Sequence, residues 1–506
     1  MQDSFLRPGL LLLAALGLSQ LSRAGADATA ITLYSSQQPG AISADFYRPL
    51  PGEAVPQASA VPGYALVRQD RDVHLDAGHT TLRYSDVAGL IDPTTVTFTV
   101  PSDPQVRVQE QNFQFDLVSN ARLLQRYIDR PVTVDVNAGN QRMTLSGTLL
   151  SATDGLVLRE ANGTLHALRD YAAIHFAELP GGLITQPTLV WELESPTAGD
   201  KRARVTYQTG GMTWWADYNV IFSDGKTADS GFMDLSAWVS IINQSGAGFT
   251  DAKLKLVAGD VHRAPAPAAM RKSNRLEEVA VTAARAGFAE QSFDEFHLYT
   301  LGRPATLPNN STKQLELFDR ARQVPARRKL VYNGSDAPIY DQPFTGRDPG
   351  TSPNTRVESL LVFRNDAASG LGMPLPAGRV RVSRLDPNDG SLEFVGEDVI
   401  GHTPRDETLT LQLGTAFDVV GERKQTDYVL NSREKWLEEQ FEIRIRNHKS
   451  QAVNVEVREP LYRWSGWKIV DASQKWDKDS ARQIHFDVAV PRDGETVLHY
   501  RVRYSW

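Results

Sequence analysis

Along most of this chain hydrophobic positions recur at every second residue, in short runs broken by Gly, Pro, Asn and Asp. That spacing predicts strands of half-buried sheets rather than helices. Runs at 64–68, 73–75, 81–84 and 96–100 predict an antiparallel β domain over 27–103, resumed over 181–262 by strands at 188–193, 203–207, 218–222, 237–242 and 252–257. Between them, 104–180 reads as an inserted unit. Leu123, Leu124, Tyr127 and Ile128 share a helical face that Pro131 ends, and five short strands follow at 132–136, 143–150, 155–158, 164–168 and 174–176. A helix and five strands, with Gly147 at a bend, predict a small Sm-like or SH3-like barrel, of a kind that often assembles or binds peptides and RNA. An inserted β-meander is the alternative. The stretch 263–293, rich in Ala, Arg and Pro, predicts a linker or mobile loop with a helical turn near 276–284.

Strand patterns over 294–430 predict a central β domain, with "DPNDG" at Asp386–Gly390 as a hairpin turn. The segment 431–440 fits either a helix or a long edge strand. Beyond it, runs at 441–446, 452–457, 467–470, 483–488 and 496–504 predict a C-terminal immunoglobulin-like sandwich over 431–506. The expected fold is therefore mainly β: several antiparallel sheets in several domains, a small barrel insert and a terminal sandwich.

The densest aromatic stretch is "TGGMTWWADYNVIF" at 209–222. Gly210 and Gly211 tolerate positive φ, so a hairpin turn is expected there. Beyond it, Trp214, Ala216, Tyr218 and Val220 form one wholly apolar face, predicted to be core. Trp215, Asp217, Asn219 and Ile221 form a mixed face. Trp215 is expected to be exposed or at a domain seam, and it is the candidate binding residue.

Composition changes this picture in three places. A net charge of −7 argues against broad nucleic-acid binding, which needs a concentrated basic surface. Arg7, the apolar run 9–18 and the small residues Ala24-Gly25-Ala26 predict a signal peptide over 1–26. The apolar run falls short of the roughly 20 residues that cross a bilayer, so no transmembrane helix is expected after cleavage. The sequence has 0 Cys, which removes disulfides, thiolate nucleophiles and zinc–thiolate sites. An exported chain without disulfides fits the bacterial periplasm, or secretion, better than a eukaryotic secretory route.

Several segments together resemble a bacterial exported family of unknown function, loosely described as mucoidy-inhibitor-like. They are "VTYQTGGMTWWADYNV" at 205–220, "YALVRQDRDVHLDAGHTTLRYSDVAGLIDPTTV" at 64–96 and "DAKLKLVAGDV" at 251–261, with "HLYTLGRPATLPNNSTKQLELF" at 297–318, "LGMPLPAGRVRV" at 371–382 and "VGEDVIGHTPRDETLTLQLGTAFDV" at 395–419. The resemblance implies an exported β-rich envelope protein. It implies no reaction and no catalytic residues.

The zinc, nucleotide and nucleophile-elbow motifs are absent, and no two of the 10 His lie three or four apart. No cofactor and no metal is expected. The one suggestive polar cluster is "GEDVIGHTPRDE" at 396–407, where Glu397, Asp398, His402 and Arg405 are candidate catalytic residues because a carboxylate beside a histidine tunes its basicity. The C-terminal "VLHYRVRYSW" alternates and ends in an aromatic residue, as the last strand of an outer-membrane barrel does. The expected role is a non-catalytic structural or binding protein of the envelope, with a protein or glycan partner. The alternatives are a hydrolase acting on an envelope polymer and an outer-membrane β-barrel component.

Overall fold

The computed structural model describes residues 28–35, 42–48, 57–138, 141–227, 229–259, 261, 288–293, 296–346, 354–386 and 388–506. The signal peptide expected at 1–26, most of the linker (263–287) and its helical turn lie outside the described residues. Strands dominate, the longest α-helix described is Asn120–Arg126, and no described helix is long and apolar enough to cross a membrane. The mainly β, multi-sheet reading is correct, and the sheets are mixed rather than purely antiparallel. Strands Ala28–Tyr34 and Phe249–Ala258 pair in parallel, as do Met212–Asp224 and Gly378–Leu385.

An eight-stranded sheet runs in the order Phe288–Phe293, Phe296–Leu301, Phe249–Ala258, Ala28–Tyr34, Tyr64–Leu75, Gly199–Thr209 and Ile91–Thr99, with Ala305–Leu307 also on Phe249–Ala258. Its first strand corrects the sequence reading, which left 288–293 in the linker. Phe288 is buried against the main core, and the strand forms a hairpin with Phe296–Leu301 that a low apolar count had hidden.

The helix Asn120–Arg126 starts where the Ser119 hydroxyl accepts the Arg122 N–H at 3.2 Å, and Tyr127 at its end is buried. Five strands follow, Pro131–Ala138, Gln141–Ser151, Leu156–Arg159, Leu165–Leu168 and Ala173–His175; the last returns beside the first. The two edges, Leu165–Leu168 and Ala173–His175, are not paired with each other, so the insert is an open five-stranded sheet and not the closed barrel expected. A Cβ at Gly147 would meet the Arg159 carbonyl at 2.7 Å, which accounts for glycine in that bend. Arg107–Gln114, assigned with this insert from sequence, pairs instead with Thr188–Ser195 in a three-stranded sheet completed by Gly78–Ser85.

The largest sheet has thirteen strands, two of them very long: Ser311–Asn333 and Thr408–Asn431. Each runs from one hydrophobic core into another. The large core lies between the eight- and three-stranded sheets and the first half of this sheet, around Trp191, Trp214, Tyr218 and Tyr299. The second core fills the terminal sandwich. One layer holds Trp436–Asn447, Gly494–Ser505 and Trp467–Ala472 beside the far half of Thr408–Asn431. The other holds Val453–Pro460, Gln483–Val490 and Asp477–Ser480 beside Leu330–Asn333. This core draws on Leu330, Tyr332, Val357 and Val419 as well as on residues beyond 431. The ambiguous segment 431–440 is neither helix nor edge. It is a turn and the start of Trp436–Asn447, which is paired on both sides. In the last strand Leu498, Tyr500, Val502 and Tyr504 all face this protein core.

The glycine pair Gly210-Gly211 is not a hairpin turn. The preceding strand Gly199–Thr209 belongs to the eight-stranded sheet and the following strand Met212–Asp224 to the thirteen-stranded one. The glycines let the chain cross between two packed sheets. Gly211 has φ 72°, and a Cβ there would lie 2.8 Å from the Gln244 carbonyl.

Candidate functional site

Alternation along Met212–Asp224 sorts its side chains as the sequence predicts. Trp214, Ala216, Tyr218 and Val220 are buried in the large core. The Tyr218 hydroxyl donates to the Pro376 carbonyl at 2.7 Å and the Tyr299 hydroxyl to the Pro374 carbonyl at 3.0 Å. The tight Pro374–Gly378 connection thus supplies acceptors that two buried phenols need. Burial holds both phenols well above the usual tyrosine range.

Trp215, on the opposite face, is half-buried. Its ring lies 5.3 Å from that of Tyr47 in the short helix Ala44–Tyr47, and Ile42, Val61 and Ile242 pack around it. Beside it is a cavity of about 110 Å³ lined in part by Asp217, Ser240, Gln314 and Arg381. Asp217 is buried; it accepts the Ser240 hydroxyl at 2.8 Å and lies 3.2 Å from Arg381 Nη1. That volume suits a few waters and not a sugar ring, since each water takes roughly 30 Å³ of the liquid.

The four candidate catalytic residues sit close in sequence but turn to different partners. Glu397 faces Arg381, 3.6 Å away, so Arg381 bridges it to Asp217. Asp398, its neighbour on the strand Leu392–Ile400, alternates to the other side and accepts the Gln412 N–H at 2.7 Å. There the curled sheet meets itself: Leu392–Ile400 approaches Thr408–Asn431 without forming a backbone ladder, and the Asp398 carboxylate takes the place of a strand carbonyl. A Cβ at Gly396 would collide with the Leu413 carbonyl at the same contact. His402 is exposed, and its Nδ1 accepts the Ala377 N–H at 3.1 Å, which leaves the proton of the neutral ring on Nε2. Arg405 and Asp406 are exposed, 4.0 Å apart. The arrangement can clasp two turns and close a sheet edge.

Another ionic group offers metal-ligand chemistry. Glu456, His485 and Asp487 hold their ligand atoms within 4.8 Å of one another. Glu456 is already paired with Lys329 and with Arg458, the latter at 2.7 Å, and His485 Nδ1 lies 2.6 Å from Asp479. Lys329 and Arg458 thus already neutralise the Glu456 carboxylate that a cation would use.

The most concentrated buried chemistry was missed from sequence. In the terminal core Arg423 Nε donates to Glu459 at 2.9 Å, the Tyr500 hydroxyl donates to the same carboxylate at 2.5 Å, and the Arg423 guanidinium lies 3.7 Å over the Phe441 ring. Nearby, Arg463 Nε donates to Glu439 at 2.8 Å and its Nη1 to the Phe344 and Gly346 carbonyls. All four charged side chains are buried. Burial raises the Glu439 carboxyl against the pull of Arg463. The available signal was parity: Arg423, Glu439 and Glu459 occupy core-facing positions of their strands.

The remaining candidate is a surface. The hairpin Gly378–Leu385 and Leu392–Ile400, joined at the Asp386–Gly390 turn, carries Leu392, Phe394, Val395 and Val399 exposed, Phe394 at 64%. Leu392, Phe394 and Val399 stand opposite Leu385, Ser383 and Arg379, and Val395 falls at the register shift between Phe394 and Gly396. Phe417, in the strand that meets this edge, is 95% exposed. Compared with family models, curated proteins and solved structures, the chain matches none.

Proposed function

We propose that this protein is an exported component of the bacterial cell envelope that acts by binding a protein or glycan partner rather than by catalysis. The observation that carries this reading is the edge hairpin with Leu392, Phe394, Val395 and Val399 exposed, and Phe417 on the strand it meets. Exposed apolar groups of this size on a sheet edge mark interaction sites more often than solvent-facing surface. The segments resembling exported mucoidy-inhibitor-like proteins support the compartment, as does the leader-like stretch 1–26.

The test is a pull-down from periplasmic extract with the mature chain and with its Phe394→Asp and Phe417→Asp variants, run beside an array of envelope glycans. A partner or glycan retained by the wild type and lost by both variants is expected. Retention of the same set by all three proteins, or turnover of an envelope polymer by the purified chain, overturns the reading.

A further inference from the structure

A groove of about 620 Å³ lies on the outward face of the thirteen-stranded sheet, well away from the edge hairpin in strand order. Its floor is apolar. Phe232 is 42% exposed and stands opposite Pro325 in the register, and Val362 stands opposite Arg327. Its rim is cationic: Lys226 from the turn between Met212–Asp224 and Ser230–Asn243, Arg327 from Ser311–Asn333, and Arg364 from Arg356–Arg364. No acidic side chain is among the described residues that line it.

In a protein of net charge −7, cations on surface sheets ordinarily face carboxylates, and many here do. The neighbouring Arg328 and Lys329 are paired with Asp224 and Glu456. Arg364 is shared with Asp366 at 3.0 Å. Lys226 and Arg327 have no ion pair among the described residues. The volume falls in the range of roughly 300–1,000 Å³ typical of small-molecule sites, where an apolar wall and a few convergent polar groups fix the ligand. A guanidinium fork and an ammonium over an aromatic floor fit a carboxylate or phosphate joined to an apolar group.

We infer that this groove is a binding site for a small amphipathic organic anion, its charged group between Lys226 and Arg327 and its apolar arm on Phe232 and Pro325. This reading does not rest on the envelope partner proposed above, and either can fail alone.

The test uses two fluorescent probes on the mature chain: anionic 8-anilinonaphthalene-1-sulfonate and neutral N-phenyl-1-naphthylamine. Wild type is compared with Arg327→Glu, Lys226→Glu, Phe232→Ser and, as a control at the edge hairpin, Phe394→Asp; all four positions are exposed. The anionic probe is expected to bind one site, and each charge reversal is expected to weaken it by about tenfold or more, the usual scale of one charge-assisted hydrogen bond. Phe232→Ser is expected to weaken both probes, the charge reversals only the anionic one, and Phe394→Asp neither. Unchanged affinity in Arg327→Glu and Phe232→Ser overturns the site, as does loss of binding in Phe394→Asp alone. Sedimentation with phosphatidylglycerol vesicles that depends on Arg327, without probe binding, also overturns it, in favour of a lipid surface.

Discussion

Two cores share the same two long strands and differ in what they bury. Among the described residues, the large core around Trp214 buries only neutral polar groups: the phenols of Tyr218 and Tyr299, with backbone acceptors at Pro376 and Pro374, and those of Tyr84 and Tyr207 beside the indoles of Trp191 and Trp214. The terminal core holds two complete ion pairs, Arg423–Glu459 and Arg463–Glu439, in side chains with no more than 1% exposure. Ser311–Asn333 and Thr408–Asn431 pass through both, so strand chemistry alone does not decide the difference. What differs is the cost of an error. A lost phenol bond leaves one neutral group unpaired, whereas a lost ion-pair partner leaves a charge in a low-dielectric interior.

The sharpest way to break that comparison is to remove Glu459. Glu459→Ala strands the Arg423 guanidinium in the terminal core and takes away the acceptor of Tyr500. Breaking one partner of such a pair costs about 3–5 kcal/mol, while replacing both with apolar residues of similar size is often close to neutral. Glu459→Met combined with Arg423→Met is therefore expected to be clearly more stable than Glu459→Ala in urea denaturation. Equal midpoints for the single and double variants would show that the charges are not coupled.

A smaller contrast sharpens the same point with one substitution in each core. Tyr500→Phe removes a hydrogen bond to a carboxylate and is expected to cost about 1.5–3 kcal/mol, whereas Tyr218→Phe removes one to a neutral carbonyl and is expected to cost about 0.5–1.5 kcal/mol. Both rings stay in place, so packing is nearly constant across the two measurements. If Tyr218→Phe proves the more damaging, the large core depends on its polar contacts as much as the terminal one does.

What the sequence made legible follows this division. Period-two alternation located the core face of Met212–Asp224, the five strands of the insert and most of the terminal sandwich, because apolar side chains sit where alternation puts them. It did not reveal Arg107–Gln114, whose residues "RVQEQNFQ" are largely exposed at the edge of the three-stranded sheet and carry little apolar signal. Nor did it show that 311–333 and 408–431 are single strands. Charged and small residues interrupt the pattern there, and bulges such as the one at Gln323 with φ 56° absorb the slips in register. The turn read at Gly210-Gly211 became a passage between sheets because glycine signals a sharp or close backbone without saying which strands flank it. At the candidate site, Trp215, expected to be exposed or at a domain seam, is half-buried against Tyr47. Glu397, Asp398, His402 and Arg405 were grouped by sequence proximity, yet neighbours on a strand face opposite sides. The buried ions were overlooked because charge is read as exposure, and only their pairing makes an exception.

The smallest expected effect lies outside both cores, at Asp70. Its carboxylate accepts from Arg204 Nε and Nη2 at 2.8 and 2.9 Å across the pair Tyr64–Leu75 and Gly199–Thr209, on the eight-stranded sheet. The hydrogen bond from Arg204 holds the Asp70 carboxyl below its usual range; partial burial opposes this, and the charges of Arg204, Arg68 and Arg202 add to it. A carboxyl depressed by folding contributes stability that is present above its unfolded value, near 3.9, and is lost as pH falls through the folded value. With Arg204 still 41% exposed, solvent screening keeps that contribution at or below about 1 kcal/mol. Asp70→Asn is thus expected to lower the urea midpoint slightly at pH 7, and the two proteins should converge as pH falls from about 4 through the lower folded-state value, where the wild-type carboxylate is protonated. Parallel curves from pH 7 to 3 would show that this pair contributes nothing through its charge. The same measurement in high salt separates surface from interior: about 1 M salt shortens the screening length to about 3 Å and should remove most of the Asp70 effect, yet leave the penalty of Glu459→Ala in place, because no salt reaches the Arg423 guanidinium inside the sandwich.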